Sequence, residues 1–259
     1  MTERILKNKP LVEALLELKW VLPPPSNSGI DGDPHYRLLL GRFSERVQNE
    51  YPIHEPLPTA QIPDAMVPHM VQHRFRTSQS AWPLIQMGPG IVTLNETAGY
   101  TWKGFKPRCE RVVSSLFDAH PAKNEFIIQE MTLRYIDAIE FDATKDNVFK
   151  FLDEKMRVKV SLPDNLFEKG HVQTHPNVFN WQASFPHNPL GGTITLRFGI
   201  GQHGGKPALV WETLVQTLKD GIPRMPGGFS EWLEKAHEIT DDWFFKLIEG
   251  DLEKRFSGG

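Results

Sequence analysis

Three glycines in RFGIGQHGGKP, Gly199, Gly201 and Gly204, have the spacing with which a backbone can wrap a pyrophosphate. That chemistry needs a strand before the glycines and a helix after them, so that the phosphate meets the helix N-terminus. TITLRF supplies a strand, and Asp220 stands roughly where the fingerprint puts its ribose-binding acid, about 20 residues on. Against this, Thr193, Thr195 and Arg197 alternate with apolar residues, whereas a central parallel strand is apolar almost throughout. No βαβ repeat surrounds the loop. KPALVWETLVQTLKD can carry a helical stripe of Trp211, Leu214, Val215 and Leu218, but a second strand is the reading carried forward. The glycines then belong to a hairpin, with His203 at its tip and no cofactor expected.

GHVQTHP places His171 and His175 four apart, a zinc-binding interval on a helix. Gly170 and Pro176 mark a loop and no adjacent Glu accompanies the pair, so solvated histidines are expected and no metal, even with His187 and His203 as candidate partners. The single cysteine, Cys109, lies among Lys106, Arg108 and Arg111, which would favour a thiolate. At helical spacing it joins Phe105, Val112 and Leu116 on an apolar stripe, which makes it structural. No Gly-x-Ser-x-Gly elbow, phosphate loop, His-Glu-x-x-His helix or paired CxxC occurs, and no catalytic residue is assigned.

Two sets of residues remain as binding candidates. Asp137 sits with Met131, Leu133, Tyr135, Ile139 and Phe141 on the apolar side of EMTLRYIDAIEF, where a carboxylate requires a cation or a hydrogen-bond donor. Arg74 and Arg76 share a side of their strand with Gln72. Arg134 lies opposite the apolar side of its own, and Arg197 keeps company with Thr193 and Thr195. If these sides are coplanar, they form a sheet surface suited to phosphate contacts or to a polar protein interface.

The elements that must position these residues follow from periodicity. LVEALLELKW alternates as a half-buried strand, with Val12, Ala14, Leu16, Leu18 and Trp20 on one side. Tyr36, Leu39, Leu40, Phe43 and Val47 predict a helix over 35–50. LPTAQI, HMVQHRFRT and a hairpin in PLIQMGPGIVTLNE, turning at Gly88, Pro89 and Gly90, make a β-rich stretch closed by the helix around Cys109. The order then repeats: the strand holding Asp137, a helix in DNVFKFLDEKM capped by Asp146, strands in VFNWQASF, TITLRFGI and ALVWETLVQTL, and a final aromatic helix. The expected fold is α+β, a duplicated β-α-β(3-4)-α unit with halves at 1–122 and 123–259 packed as one pseudo-symmetric domain. Its sheet is mainly antiparallel, with helices on one face and the other open. This order is similar to that of TATA-box-binding proteins and, more distantly, of helix-grip lipid-binding domains, analogies that do not settle function.

The chain has 259 residues, 39% hydrophobic and 24% charged, which is globular composition. Its formal net charge of −3 provides no basic field for nucleic acid or anionic lipid, so such binding requires a local patch. No apolar run approaches a membrane span, and the acidic N-terminus does not read as a signal peptide. One unpaired cysteine points to a reducing, cytoplasmic setting.

KPLVEALLELKW, PLIQMGPGIVTLNETAGYTWKGF and LRYIDAIEF, together with the aromatic C-terminal helix, resemble a sporadically distributed family of uncharacterised prokaryotic proteins. That family opens with a Pro-hydrophobic-Val-Glu strand and has a central Arg-Tyr-Ile-Asn segment. Arg134, Tyr135 and Ile136 match the latter, as do Asn95, Tyr100 and Trp102 elsewhere, while Asp137 replaces the usual Asn. The resemblance implies an organisation and no activity, and its sporadic distribution resembles that of defence-associated genes.

The leading functional expectation is a non-enzymatic binding or regulatory module that engages a protein partner, or itself, through the open sheet or the groove between halves. A second is a nucleic-acid-binding protein using Arg74, Arg76, Arg134 and Arg197, with Trp181 as a stacking aromatic. A third is a small-ligand carrier or enzyme with a pocket including Asp137, Trp211 and Glu212.

Overall fold

A computed structural model describes residues 4, 6–22, 33–97, 99–170 and 172–258. Period-two alternation becomes a strand wherever it is sustained: β1 Leu11–Trp20, β4 Leu84–Gly88, β5 Ile91–Glu96, β6 Ile128–Glu140, β7 Asn180–His187, β8 Gly192–His203 and β9 Lys206–Leu218. Two short strands, β2 Ile53–Pro56 and β3 His73–Arg76, complete one nine-stranded sheet in the order β2-β3-β4-β5-β1-β6-β9-β8-β7. Every pairing is antiparallel. The helices are α1 Tyr36–Val47, α2 Trp102–Ala119, α3 Val148–Met156, α4 Phe229–Ile248 and α5 Asp251–Ser257.

Each half of the chain begins with a central strand, passes through a helix and returns by a meander to that first strand. In the first half β5 closes on β1, and in the second β9 closes on β6. The halves meet where β1 pairs with β6, for example Leu16 with Leu133. Ala14, Leu16, Leu18 and Trp20 of β1 are buried with Val92 and Leu94 of β5 beneath α1, α2 and the first turns of α4. A second cluster joins Ile139, Leu196, Phe198, Leu209 and Trp211 of the sheet to α3, α5 and the later part of α4. All five helices among the described residues therefore cover one face.

Several local expectations need correction. LPTAQI forms a 3₁₀ turn at Pro58–Gln61, because Pro58 fixes φ and removes a donor at its start. The strand of this region precedes it, at Ile53–Pro56. α3 is capped by Asn147, whose side chain accepts from the amides of Phe149 and Lys150, rather than by Asp146. Other expectations hold: the segment after Pro207 is strand β9, and the hairpin turns at Gly204 and Gly205, both at positive φ. Gly199 and Gly201 lie within β8, so the dinucleotide spacing straddles a strand and a turn. Cys109 is fully buried on α2 beside Phe105, Val112 and Leu116, and burial pushes its thiol well above the usual range.

Candidate ligand pocket and the open sheet face

Strand register places the four candidate arginines on the face opposite the helices. Arg74 opposes Gln86, Arg76 opposes Leu84, Arg134 opposes Leu15 and Leu214, and Arg197 opposes Gln182 and Glu212. Coplanarity does not leave them unpaired. Arg76 donates to Glu55 at 3.0 Å and to the Ala81 carbonyl, and Arg74 donates to Gln86 at 2.9 Å. Gln86 donates to Asn95, which donates to Glu13. Arg134 and Arg197 share Glu212, at 2.6 and 3.4 Å, and Arg197 also donates to Gln182. Among strand residues of this face, Glu13, Glu17, Glu55, Glu130, Glu140 and Glu212 balance Lys19, Arg74, Arg76, Arg134, Arg197 and Lys206. The surface is a cross-linked polar network whose formal charges cancel. Trp181 is in register with Phe198 and packs toward the helices, away from the arginines. Glu212 is likewise on the open face, and is not a neighbour of Asp137 in a pocket.

Asp137 is on the helix side, 2% exposed. It falls where one apolar cluster ends and the other begins: Leu133 and Tyr135 belong to the first, Ile139 and Phe141 to the second. Neighbouring elements are polar at the same level. Thr213 opposes Tyr135 on β9, and Thr240 lies between Ala236 and Phe245 on α4. β1 has a register irregularity between Leu11, which opposes Asp137, and Glu13. Such bulges re-aim side chains and recur beside sites.

This seam holds a cavity of about 110 Å³, lined on the sheet side by Leu11, Tyr135, Asp137 and Thr213, and on the helix side by His237, Thr240, Asp241, Phe244 and Phe245. Tyr100, Thr101 and Trp102 form one wall, and Arg4, Leu6 and Lys9 of the N-terminal segment line another. Within it runs a chain of rings. The Tyr100 and Tyr135 hydroxyls are 3.0 Å apart, and Tyr135 Oη is 3.0 Å from His237 Nδ1. His237 stacks on Trp102 with centroids 3.7 Å apart. Burial pushes His237 down to about 4, so the ring is neutral at pH 7 and Nδ1 can accept from Tyr135. Burial raises both tyrosines, which stay protonated.

Asp137 has no such support. No hydrogen bond or ion pair reaches it among the described residues, and burial alone pushes its carboxyl up to about 8. Nearby, the Trp211 indole N–H and Thr213 Oγ1 are buried without partners. A native interior leaves few such groups; Asp137 and Thr213 line the cavity, and Trp211 opposes Asp137 on β9.

Of the five residues expected to bind, the structure brings Arg74, Arg76, Arg134 and Arg197 to the open face and puts Asp137 alone on the opposite one. Sequence reasoning missed Tyr100, Thr213, His237 and Thr240. A signal was present, in that Thr213 and Thr240 interrupt apolar faces as Asp137 does, but their alignment appears only once β6, β9 and α4 are superposed. His171 lies outside the described residues. His187 opposes Gly192 at one end of β8 and His203 stands at the other, and no cluster of three metal-ligating side chains occurs among the described residues. No helix among them is long and apolar enough to cross a membrane. No protein-family model and no curated protein matches the chain.

Proposed function

We propose that this protein binds a small organic molecule in the seam between β6, β9 and α4. The observation carrying this reading is Asp137, a buried carboxyl that lines a cavity and has no partner there. An unsatisfied buried polar group costs about 1–3 kcal/mol, and a ligand that completes its bonds recovers that cost. The cavity is somewhat smaller than the roughly 150 Å³ that accommodates benzene, so it encloses one end of a ligand and leaves the remainder among Arg4, Lys9 and Phe245. A native mass spectrum of the purified chain, compared with its denatured spectrum, tests the reading. A small mass surplus lost on denaturation is expected, and equal masses in chain purified from its native host count against it.

The coplanar arginines support a second reading, a polar protein interface on the open face. Glu212, held by two arginines, is its natural centre. Glu212→Lys should then abolish partner capture without unfolding the sheet, and unchanged capture would remove the reading. The pairing of every arginine weighs against a phosphate-binding surface. The shared order of elements in the two halves supports a duplicated β-α-β(3-4)-α unit arranged as in TATA-box-binding proteins, and the lone buried cysteine supports a cytoplasmic setting.

A further inference from the structure

We infer that the ligand of this pocket is a protonated amine on a compact apolar body, with Asp137 as its counter-ion. The inference rests on the pocket reading above and specifies its chemistry. Three features point the same way. Asp137, 2% exposed, is the most buried ionisable group of this site, and its carboxyl lacks any cation or donor among the described residues. A buried carboxylate is stable only when a positive, hydrogen-bonding group is placed against it. The surroundings supply aromatic and aliphatic surface for the body of such a ligand, from Leu6, Leu11, Tyr100, Phe244 and Phe245. Ring faces favour a nearby cation as well.

The other charged and titratable groups of the site do not satisfy Asp137 themselves. Arg4 stands with its guanidinium 4.8 Å over the Phe245 ring and is largely exposed. Lys9 donates to the Tyr100 carbonyl. His237 is occupied by Tyr135 and is uncharged at neutral pH, and Asp241 on the same helix is acidic. Tyr100 and Tyr135 bond to one another. β9 contributes only the uncharged Trp211 and Thr213 at this level, and β1 contributes Leu11. A cation must therefore arrive with the ligand. Because burial holds the free carboxyl protonated up to about pH 8, pairing it with an ammonium group at pH 7 expels its proton to solvent.

The test is isothermal titration of the full chain with benzylamine, benzyl alcohol and benzoate, three probes of one shape and different charge. Benzylamine should bind about 10- to 100-fold tighter than the alcohol at pH 8, the range expected for one charge-assisted hydrogen bond. At pH 7 its heat should vary with the ionisation enthalpy of the buffer, reporting close to one proton released. Asp137→Asn should abolish both the preference and the proton release while retaining benzyl alcohol, which shows that the cavity is intact. Equal or tighter binding of the alcohol or of benzoate overturns the amine assignment and leaves the pocket reading standing. Failure of all three probes to bind overturns both.

Discussion

Asp137 and His237 line one cavity and titrate in opposite senses. The folded-state pKa of Asp137 is raised to about 8 from 3.8, so between those values the folded protein keeps a proton that the unfolded chain gives up. Stability from this group therefore falls as pH rises through the window. His237 is lowered to about 4 from 6.5, and its contribution is lost as pH falls from 6.5 toward 4. The two effects oppose one another below 6.5, whereas from 6.5 to 8 only the Asp137 effect of the pair operates. Urea unfolding at pH 6.5 and at pH 8 should show the wild-type chain losing up to about 2 kcal/mol across this interval. Asp137→Asn should be nearly flat and more stable than wild type at pH 8. A wild-type slope of the opposite sign would contradict a buried, unpartnered carboxyl. The sequence marks this residue because alternation in EMTLRYIDAIEF puts a charge among apolar neighbours. It is silent on the absence of a partner, which depends on side chains arriving from β9, α4 and the N-terminal segment.

At the scale of elements, the attachment of α4 to the sheet is partly a hydrogen-bond chain. The Trp232 indole donates to Thr217 Oγ1 at 2.9 Å, and Thr217 donates to the Leu190 carbonyl at 3.0 Å, all in the buried interior. Thr217→Val keeps the shape and removes both bonds, leaving a buried indole N–H and a carbonyl unsatisfied. A loss of about 1–3 kcal/mol in urea unfolding is expected, and a neutral effect would show that water reaches these atoms. Elements were legible from sequence where one period ran unbroken, as in β1, β6, β8 and α2. They were less legible where two signals compete. LPTAQI has strand-forming composition but starts a 3₁₀ turn at Pro58, and past Thr240 the run Trp243, Phe244, Phe245 offers α4 more than one apolar stripe, of which the buried one passes through Phe245 and Ile248. The glycine motif was resolved by the polar alternation of Thr193, Thr195 and Arg197, which antiparallel pairing explains: those residues lie on the open side of the sheet beside Gln216, Leu214 and Glu212, with Thr195 itself buried there.

For the whole molecule, the charge balance of the open face decides what long-range attraction it can exert. A surface whose cations are each matched by a neighbouring carboxylate or amide has few condensed counterions to release from DNA. Fluorescence anisotropy with single- and double-stranded oligonucleotides at 50 mM and 200 mM salt should show no steep salt-dependent binding. A slope corresponding to several phosphate contacts would restore the arginine face as a nucleic-acid surface. The alternation that puts Arg74, Arg76, Arg134 and Arg197 on one side was visible in the sequence, but their pairing with Glu55, Gln86 and Glu212 was not, because it depends on which strands become neighbours. Those neighbours also bear on synthesis. β1 precedes the other strands of this sheet in the chain and lies at the middle of the finished sheet, where Ala14 is bracketed by Glu96 and Tyr135. A nascent chain carrying only residues 1–122 has β5 to cover one edge of β1 and nothing for the other, a leucine-rich edge that templates association with other copies. Expressed alone, that fragment should accumulate in aggregates, and co-expression with residues 123–259 should rescue it. During synthesis, the second edge of β1 can be covered in its native pairing only after β6 has emerged.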